Sequence, residues 1–137
     1  MGKGLRSGWV VMILCALILT VGLGLASAAG TEAVEGGWKG KTKQGYFVYF
    51  GVSEGAVVNV RLTFREVICG KQSVHLPESR LEIDEAGHFG GALVPNRLEF
   101  EGTFVAPDRV KGKIISLETT GLPGCTRKVV GFNAHPR

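Results

Sequence analysis

Cysteine, histidine and tryptophan are scarce in this sequence, and their spacing excludes several kinds of site. The 137 residues include three cysteines, three histidines and two tryptophans. No C-x-x-C pair occurs, and no two histidines are spaced i, i+2 or i, i+4, so the usual zinc-binding patterns are absent. The H-E-x-x-H and phosphate-cradling glycine motifs are missing too. The G-x-S-x-G pattern occurs once, at Gly51-Val52-Ser53-Glu54-Gly55, but Ser53, Glu54 and Gly55 are expected to link two strands, whereas a nucleophile elbow joins a strand to a helix. We therefore expect no metal site, no cofactor and no catalytic activity.

The sequence also lacks a sustained helical period, which excludes a helical bundle, a coiled coil and a Rossmann unit. The 108 residues from position 30 onward suffice for one domain. They are too few for a barrel of alternating strands and helices, which needs about 250 residues. Glycine, in contrast, is abundant, with 16 of these 108 residues against a usual share of roughly 7 per cent.

Basic residues outnumber acidic residues only slightly. The net charge of +4 falls to +2, with 14 basic and 12 acidic residues, when Lys3 and Arg6 are left out. Basic and aromatic residues do not interleave along the sequence as in oligonucleotide-binding domains, so we expect no nucleic-acid partner. Lys39, Lys41 and Lys43 alternate and are expected to share a strand face. That face suits an acidic glycan or a lipid headgroup, or it protects an exposed sheet edge.

The N-terminal residues have the three-part pattern of a secretory signal peptide. Lys3 and Arg6 precede an unbroken apolar run from Trp9 to Leu19, and small residues follow at positions 26–29. We expect a signal peptide over residues 1–29, a domain over residues 30–137 and a secreted or periplasmic product without a stable membrane span. A retained anchor is the alternative, because an apolar span of about 18 residues can just cross a bilayer.

Two cysteines remain after removal of the signal peptide, Cys69 and Cys125. An even pair in an exported domain predicts one disulfide. Closing a loop between positions 56 apart would stabilise the domain by roughly 4 kcal/mol on the chain-entropy model. Two unrelated buried thiols are the alternative.

Short alternating runs that end at turn residues predict about eight strands in an all-β domain. The clearest run places Val58, Val60, Leu62 and Phe64 on one face. A polar loop is expected around residues 75–79, and the last strand is expected to run from Cys125 to about residue 132. Turns about every ten residues favour a single antiparallel β-sandwich, with a small β-barrel as the alternative.

One predicted strand carries the candidate binding surface. Phe47 and Tyr49 alternate with Val48 and Phe50, so the two pairs are expected on opposite faces. Adjacent exposed aromatics suit a sugar ring or a protein partner. The candidate surface comprises Phe47, Tyr49, Lys41, Lys43 and Arg61. The alternative is that both faces of this strand are covered in a sandwich.

Short motifs spread along the chain resemble a broad group of small exported bacterial proteins. The segments that carry the resemblance are Gly37-Trp38-Lys39-Gly40-Lys41-Thr42, Phe50-Gly51-Val52, Cys69, His88-Phe89, Phe100-Glu101-Gly102-Thr103-Phe104, Gly112 and Cys125. The resemblance implies a β-sandwich with a paired cysteine, and the group has no established activity. A weaker resemblance is to the biotin-binding barrels, which also open with a G-x-W strand. The tryptophans with which those barrels enclose their ligand are absent, since Trp38 is the one tryptophan after residue 29.

These observations predict a monomeric, secreted or periplasmic binding module for an extracellular glycan or protein. The rival from another class is a small secreted hydrolase or metal-dependent enzyme that uses His75, His88 or Glu101. A structural accessory domain without a ligand is the third interpretation. Glu99 and Glu101 have a separation that would suit glycosidase carboxylates, but Lys111 and Lys113 are expected opposite them and favour a solvated sheet face.

Overall fold

The computed structural model describes residues 32–66, 69–117 and 127–137, which form eight β-strands and no helix. In chain order the strands are β1 (Gly36–Thr42), β2 (Phe47–Ser53), β3 (Ala56–Glu66), β4 (Gly70–Glu82), β5 (His88–Val94), β6 (Leu98–Ala106), β7 (Arg109–Ser116) and β8 (Lys128–Pro136). Residues 1–29 and Cys125 lie outside the described ranges, so the signal peptide and the cysteine pairing stay predictions. Within those ranges no helix is long and apolar enough to cross a membrane.

All eight strands belong to one antiparallel sheet in the order β4-β3-β2-β1-β8-β7-β6-β5. The pairing of β1 with β8 joins the two ends of the chain, and the sheet curls until its edge strands β4 and β5 meet. At that point the Leu81 side chain lies 3.0 Å from where a Cβ on Gly91 would stand. The predicted two-sheet sandwich is therefore wrong, and a nearly closed barrel takes its place. Alternation alone could not separate the two folds, because both bury one side of each strand.

The inside of the barrel is filled by aromatic rings. Trp38 stacks on Phe50 with ring centroids 5.7 Å apart, and Phe100 stacks on Phe132 at 4.9 Å. Phe89 and Phe104 complete the set, and all six rings are buried. An eight-stranded barrel is just wide enough for side chains to fill it or for one small ligand. Here the rings occupy that space, so a ligand site is expected on the outer surface.

The alternation of β3 is confirmed for Val60, Leu62 and Phe64, which are all buried. It fails at Val58, because the register with β4 shifts between Val58 and Val60. Val57 is buried instead, and Val58 is partly exposed. Asn59, between the two valines, has a φ of 50°. This local irregularity faces the outer surface and helps to shape the candidate site.

Two further stretches differ from the sequence-based expectation. The predicted loop around residues 75–79 is part of β4, whose residues alternate between exposed and partly buried rather than between exposed and buried. Because β4 is an edge strand of the sheet, its inner side is less buried than that of the central strands. Its sequence therefore lacks a clear alternation of apolar and polar residues. Strand β8 continues to Pro136, well beyond the predicted end near residue 132. Pairing with β1 explains that extension, since His135 and Pro136 lie opposite Lys39 and Trp38.

Candidate ligand-binding surface

Because the sheet is single, the outer side of β2 faces solvent, and the expectation that Phe47 and Tyr49 lie on the opposite face from Val48 and Phe50 is confirmed. Phe47 is 42% exposed and Tyr49 is partly exposed, whereas Val48 and Phe50 are buried. The centroids of the Phe47 and Tyr49 rings are 5.9 Å apart. The alternative, in which both faces of this strand are covered, is wrong.

Cationic groups from β1 and from the residue after β8 lie over these two rings. The Lys39 Nζ is 4.7 Å from the centroid of Phe47, and the Lys41 Nζ is 5.3 Å from it. The Arg137 guanidinium carbon is 5.8 Å from the centroid of Tyr49. Such contacts hold a cation in place without neutralising it. We call Lys39, Lys41, Phe47, Tyr49, Arg61 and Arg137 the cation–aromatic face.

Strand register sets these side chains in two neighbouring rows that run across the sheet. The first row is His75, Arg61, Tyr49, Lys39 and His135, from β4 to β8. The second row is Phe47, Lys41, Asn133, Lys111, Thr103 and His88, from β2 to β5. With strands about 4.8 Å apart, the first row is about 19 Å long. Basic and aromatic side chains therefore interleave across the sheet, although they do not do so along the sequence.

Neither row contains a carboxylate side chain. The ion pairs among the described residues are Arg80–Glu82 and Lys113–Glu101, at 2.7 and 3.0 Å, and both lie outside the cation–aromatic face. Acidic residues gather around a hollow at one end of the barrel, which is lined by Glu32, Glu35, Asp84 and Glu85 among others. The net charge of +2 therefore conceals a local excess of cations on this face, which a charge count cannot reveal.

A hollow of about 610 Å³ opens beside Tyr49 on this face. Gly37 and Gly51, which are opposite each other in β1 and β2, contribute backbone but no side chain to it. The polar side chains around it are those of Tyr49, Asn59, Arg61, His75 and Arg137. A second hollow of about 560 Å³ lies on the other side of Phe47 and Lys39, with Arg109, Asn133 and His135 in its lining. Both volumes are in the range of small-molecule sites.

No match was found when the chain was compared with protein-family models, curated proteins and solved structures. The resemblance to small exported proteins is thus neither supported nor contradicted.

The structure brings together most of the candidate surface predicted from the sequence. Phe47, Tyr49, Lys41 and Arg61 share the outer face of β1, β2 and β3. Lys43 does not join them, because it lies in the turn after β1, where its amide donates a hydrogen bond to the Gly131 carbonyl at 2.8 Å. Its aliphatic stem runs beside the same glycine.

Three members of the site were missing from the predicted set: Lys39, His75 and Arg137. Lys39 could have been found from its alternation with Lys41 on the same strand face. The other two reach the site only through strand register, because they come from β4 and from the residue after β8. No local sequence signal indicates them.

The residues of the rival enzymatic hypothesis each have a different local partner. His75 Nε2 is 3.0 Å from Asn59 Oδ1, and His88 Nδ1 is 2.7 Å from Thr103 Oγ1. Glu101 pairs with Lys113, which confirms the expected cross-strand charge pair. Across the described ranges, no three His, Cys, Asp or Glu side chains are grouped so as to hold a metal ion.

Proposed function

We propose that this chain is an exported binding module whose extracellular ligand contacts the cation–aromatic face. The observation that carries the proposal is the pair of neighbouring rings on the outer face, Phe47 exposed and Tyr49 partly exposed, with cations over them that take part in no ion pair among the described residues. Exposed rings cost solvation free energy unless a ligand covers them, and rings flanked by polar groups are typical of recognition surfaces. A catalytic role is not part of the proposal.

Export is the second part of the proposal. It is supported by the tripartite pattern of residues 1–29 and by the even cysteine pair of the remaining chain, Cys69 and Cys125. Protein for binding studies should therefore be expressed with residues 1–29 in place and recovered from the periplasm or medium. Recovery only as an uncleaved, membrane-bound chain would contradict this part.

We expect the double substitution Phe47→Ala and Tyr49→Ala to abolish ligand binding while the thermal midpoint stays within a few degrees of the wild-type value. Both side chains lie outside the core, so their removal leaves no cavity in the barrel. Binding is measured on immobilised polysaccharides and on extracellular protein extracts. Differential scanning calorimetry gives the midpoint.

The matched control is Val105→Ala with Val129→Ala. Those two valines are each 48% exposed, and they lie outside the cation–aromatic face. The control removes exposed apolar area and should bind as the wild type does. Equal binding by both double variants would refute the assignment of the ligand to this face. A large fall in the midpoint of the Phe47/Tyr49 variant would instead place the two rings among the groups that stabilise the fold.

A further inference from the structure

The hollow beside Tyr49 owes its depth to paired glycines. Gly37 and Gly51 lie opposite each other, so two adjacent strands lack side chains on the outer face at the same level. A Cβ on Gly51 would stand 3.2 Å from Val58 Cγ2, and a Cβ on Gly37 would stand 3.3 Å from Arg137 Cδ. The side chains of Val58 and Arg137 therefore border the hollow, and the backbone of the two glycines is accessible between them.

Irregular backbone borders this hollow on the β3 side. The β2–β3 register shifts between Tyr49 and Gly51, and the β3–β4 register shifts between Val58 and Val60. Asn59 has a φ of 50°, which is uncommon for a residue other than glycine. Bulges and residues of this kind occur near functional sites, where they redirect side chains. Here the contact between Asn59 Oδ1 and His75 Nε2 joins the bulge to β4.

The charged side chains that line the hollow are all basic. Arg61 approaches from β3 and Arg137 from the end of β8, while no Asp or Glu side chain lines the hollow. Among the described residues neither arginine takes part in an ion pair. A guanidinium group binds carboxylate and sulfate through two parallel hydrogen bonds, which makes arginine well suited to planar anions.

We infer that the ligand is an acidic polysaccharide, one of whose anionic groups enters the hollow between Arg61 and Arg137 while a neighbouring sugar ring packs on Tyr49 and Phe47. This inference rests on the proposed binding function and specifies the ligand. The first row of side chains supports it, because Arg61 and Lys39 stand on either side of the Tyr49 ring on neighbouring strands, an arrangement that fits a chain in which anionic groups and sugar rings succeed one another. An anionic membrane fits less well, because Phe47 is the one large apolar side chain on this face with much exposed area.

The test uses a pair of polymers with the same sugar backbone, one with ionised carboxylates and one with uncharged methyl esters: polygalacturonate and fully methyl-esterified polygalacturonate. Binding of the exported protein is measured by calorimetry at low and at high salt. We expect binding to polygalacturonate, much weaker binding to the ester, and weakening by salt because the contacts are electrostatic. Arg61→Ala and Arg137→Ala should each weaken binding about 10-fold, as expected for the loss of one charge-assisted contact.

Two further double variants distinguish the hydrogen-bonding geometry of the two arginines from the effect of positive charge alone. Arg61→Lys with Arg137→Lys keeps the charge but loses the two-point hydrogen bonding, so it should bind more weakly than the wild type. Arg80→Ala with Lys113→Ala removes two cations that lie outside the face, and it should bind polygalacturonate as the wild type does. Thermal midpoints within a few degrees of wild type confirm that each variant is folded.

Several results would overturn the inference. If the wild type bound the ester as tightly as the acid, and only the Phe47/Tyr49 variant lost binding, the ligand would not need an acidic group. The proposed binding function would still stand in that case. Tighter binding to phosphatidylglycerol vesicles or to single-stranded DNA than to polygalacturonate would reject the polysaccharide. Binding that no substitution on the face weakens, or no binding to any of these probes, would count against the inference and the assigned surface together.

Discussion

Replacing Trp38 by alanine should lower the free energy of unfolding by about 3 to 5 kcal/mol, the usual cost of removing a large buried aromatic side chain. Trp38 is fully buried, stacks on Phe50 and meets Phe104 edge to face at 5.2 Å. Its Nε1 also donates a 2.8 Å hydrogen bond to the Val34 carbonyl, and the Val34 amide donates to the Pro107 carbonyl. The side chain thus connects the barrel interior to the segment before β1.

The effect should be large because an ordinary domain has a net stability of only about 5 to 15 kcal/mol. At roughly 4 to 8 °C per kcal/mol for a domain of this size, the thermal midpoint should fall by at least about 12 °C. Trp38→Phe is the control, since it keeps a ring in the barrel and loses the hydrogen bond to Val34. It should cost clearly less than Trp38→Ala. A midpoint for the alanine variant within a few degrees of wild type would show that the barrel interior is not packed as described.

Gly112→Ala should destabilise the domain by at least about 2 kcal/mol, although it adds a single methyl group. A Cβ at this position would stand 2.5 Å from the ring of Phe132 and closer still to the Glu101 carbonyl oxygen. Phe132 lies between Gly112 and the rest of the interior, where it stacks on Phe100. Neither the ring nor the backbone can move aside without disturbing that stack, and overpacking of a tight core costs roughly 1 to 3 kcal/mol or more.

Gly131→Ala is the matched control on the neighbouring strand β8. Its Cβ would meet only the flexible stem of Lys43, at 3.3 Å, so its stability should stay close to that of the wild type. Both variants are compared by chemical denaturation. If Gly112→Ala proved as stable as Gly131→Ala, the close approach of Phe132 to β7 would be contradicted.

Close packing of phenylalanine rings against the backbone also explains two of the glycines in the sequence motifs, Gly102 and Gly112. Gly102 and Gly112 are partners in the β6–β7 register, and Phe89 lies against the first as Phe132 lies against the second. The missing side chains leave room for phenylalanine rings inside a narrow barrel. Gly102 and Gly112 are therefore accounted for by packing in the interior and give no indication of a ligand.

Alternation predicted the strands because burial on one side leaves a period of two in the sequence, as in Val60, Leu62 and Phe64. It could not predict closure of a single sheet, because that depends on the pairing of β1 with β8 and not on any local pattern. The strand nature of β4 was missed for a related reason. An edge strand buries its inner side only partly, so polar residues are tolerated there.

The residues of the candidate surface that lie on one strand could be predicted from the sequence. Those that strand pairing brings together from distant parts of the chain could not. Phe47 and Tyr49 follow from the alternation of β2. The position of Arg137 over Tyr49 depends on the extension of β8, which pairs with β1 up to Pro136. The separation of acidic from basic side chains arises in the same way, since strand order places residues from distant parts of the chain side by side.

We expect the aromatic interior of the barrel to be structural and ligand binding to occur on its outer surface. The most direct test is to titrate isotope-labelled exported protein with polygalacturonate oligomers and to record amide chemical shifts. We expect the largest changes at Lys39, Tyr49 and Arg61, with the amides of Phe100 and Phe132 unaffected. Changes concentrated at the interior residues, or around the Glu101–Lys113 pair, would contradict the claim.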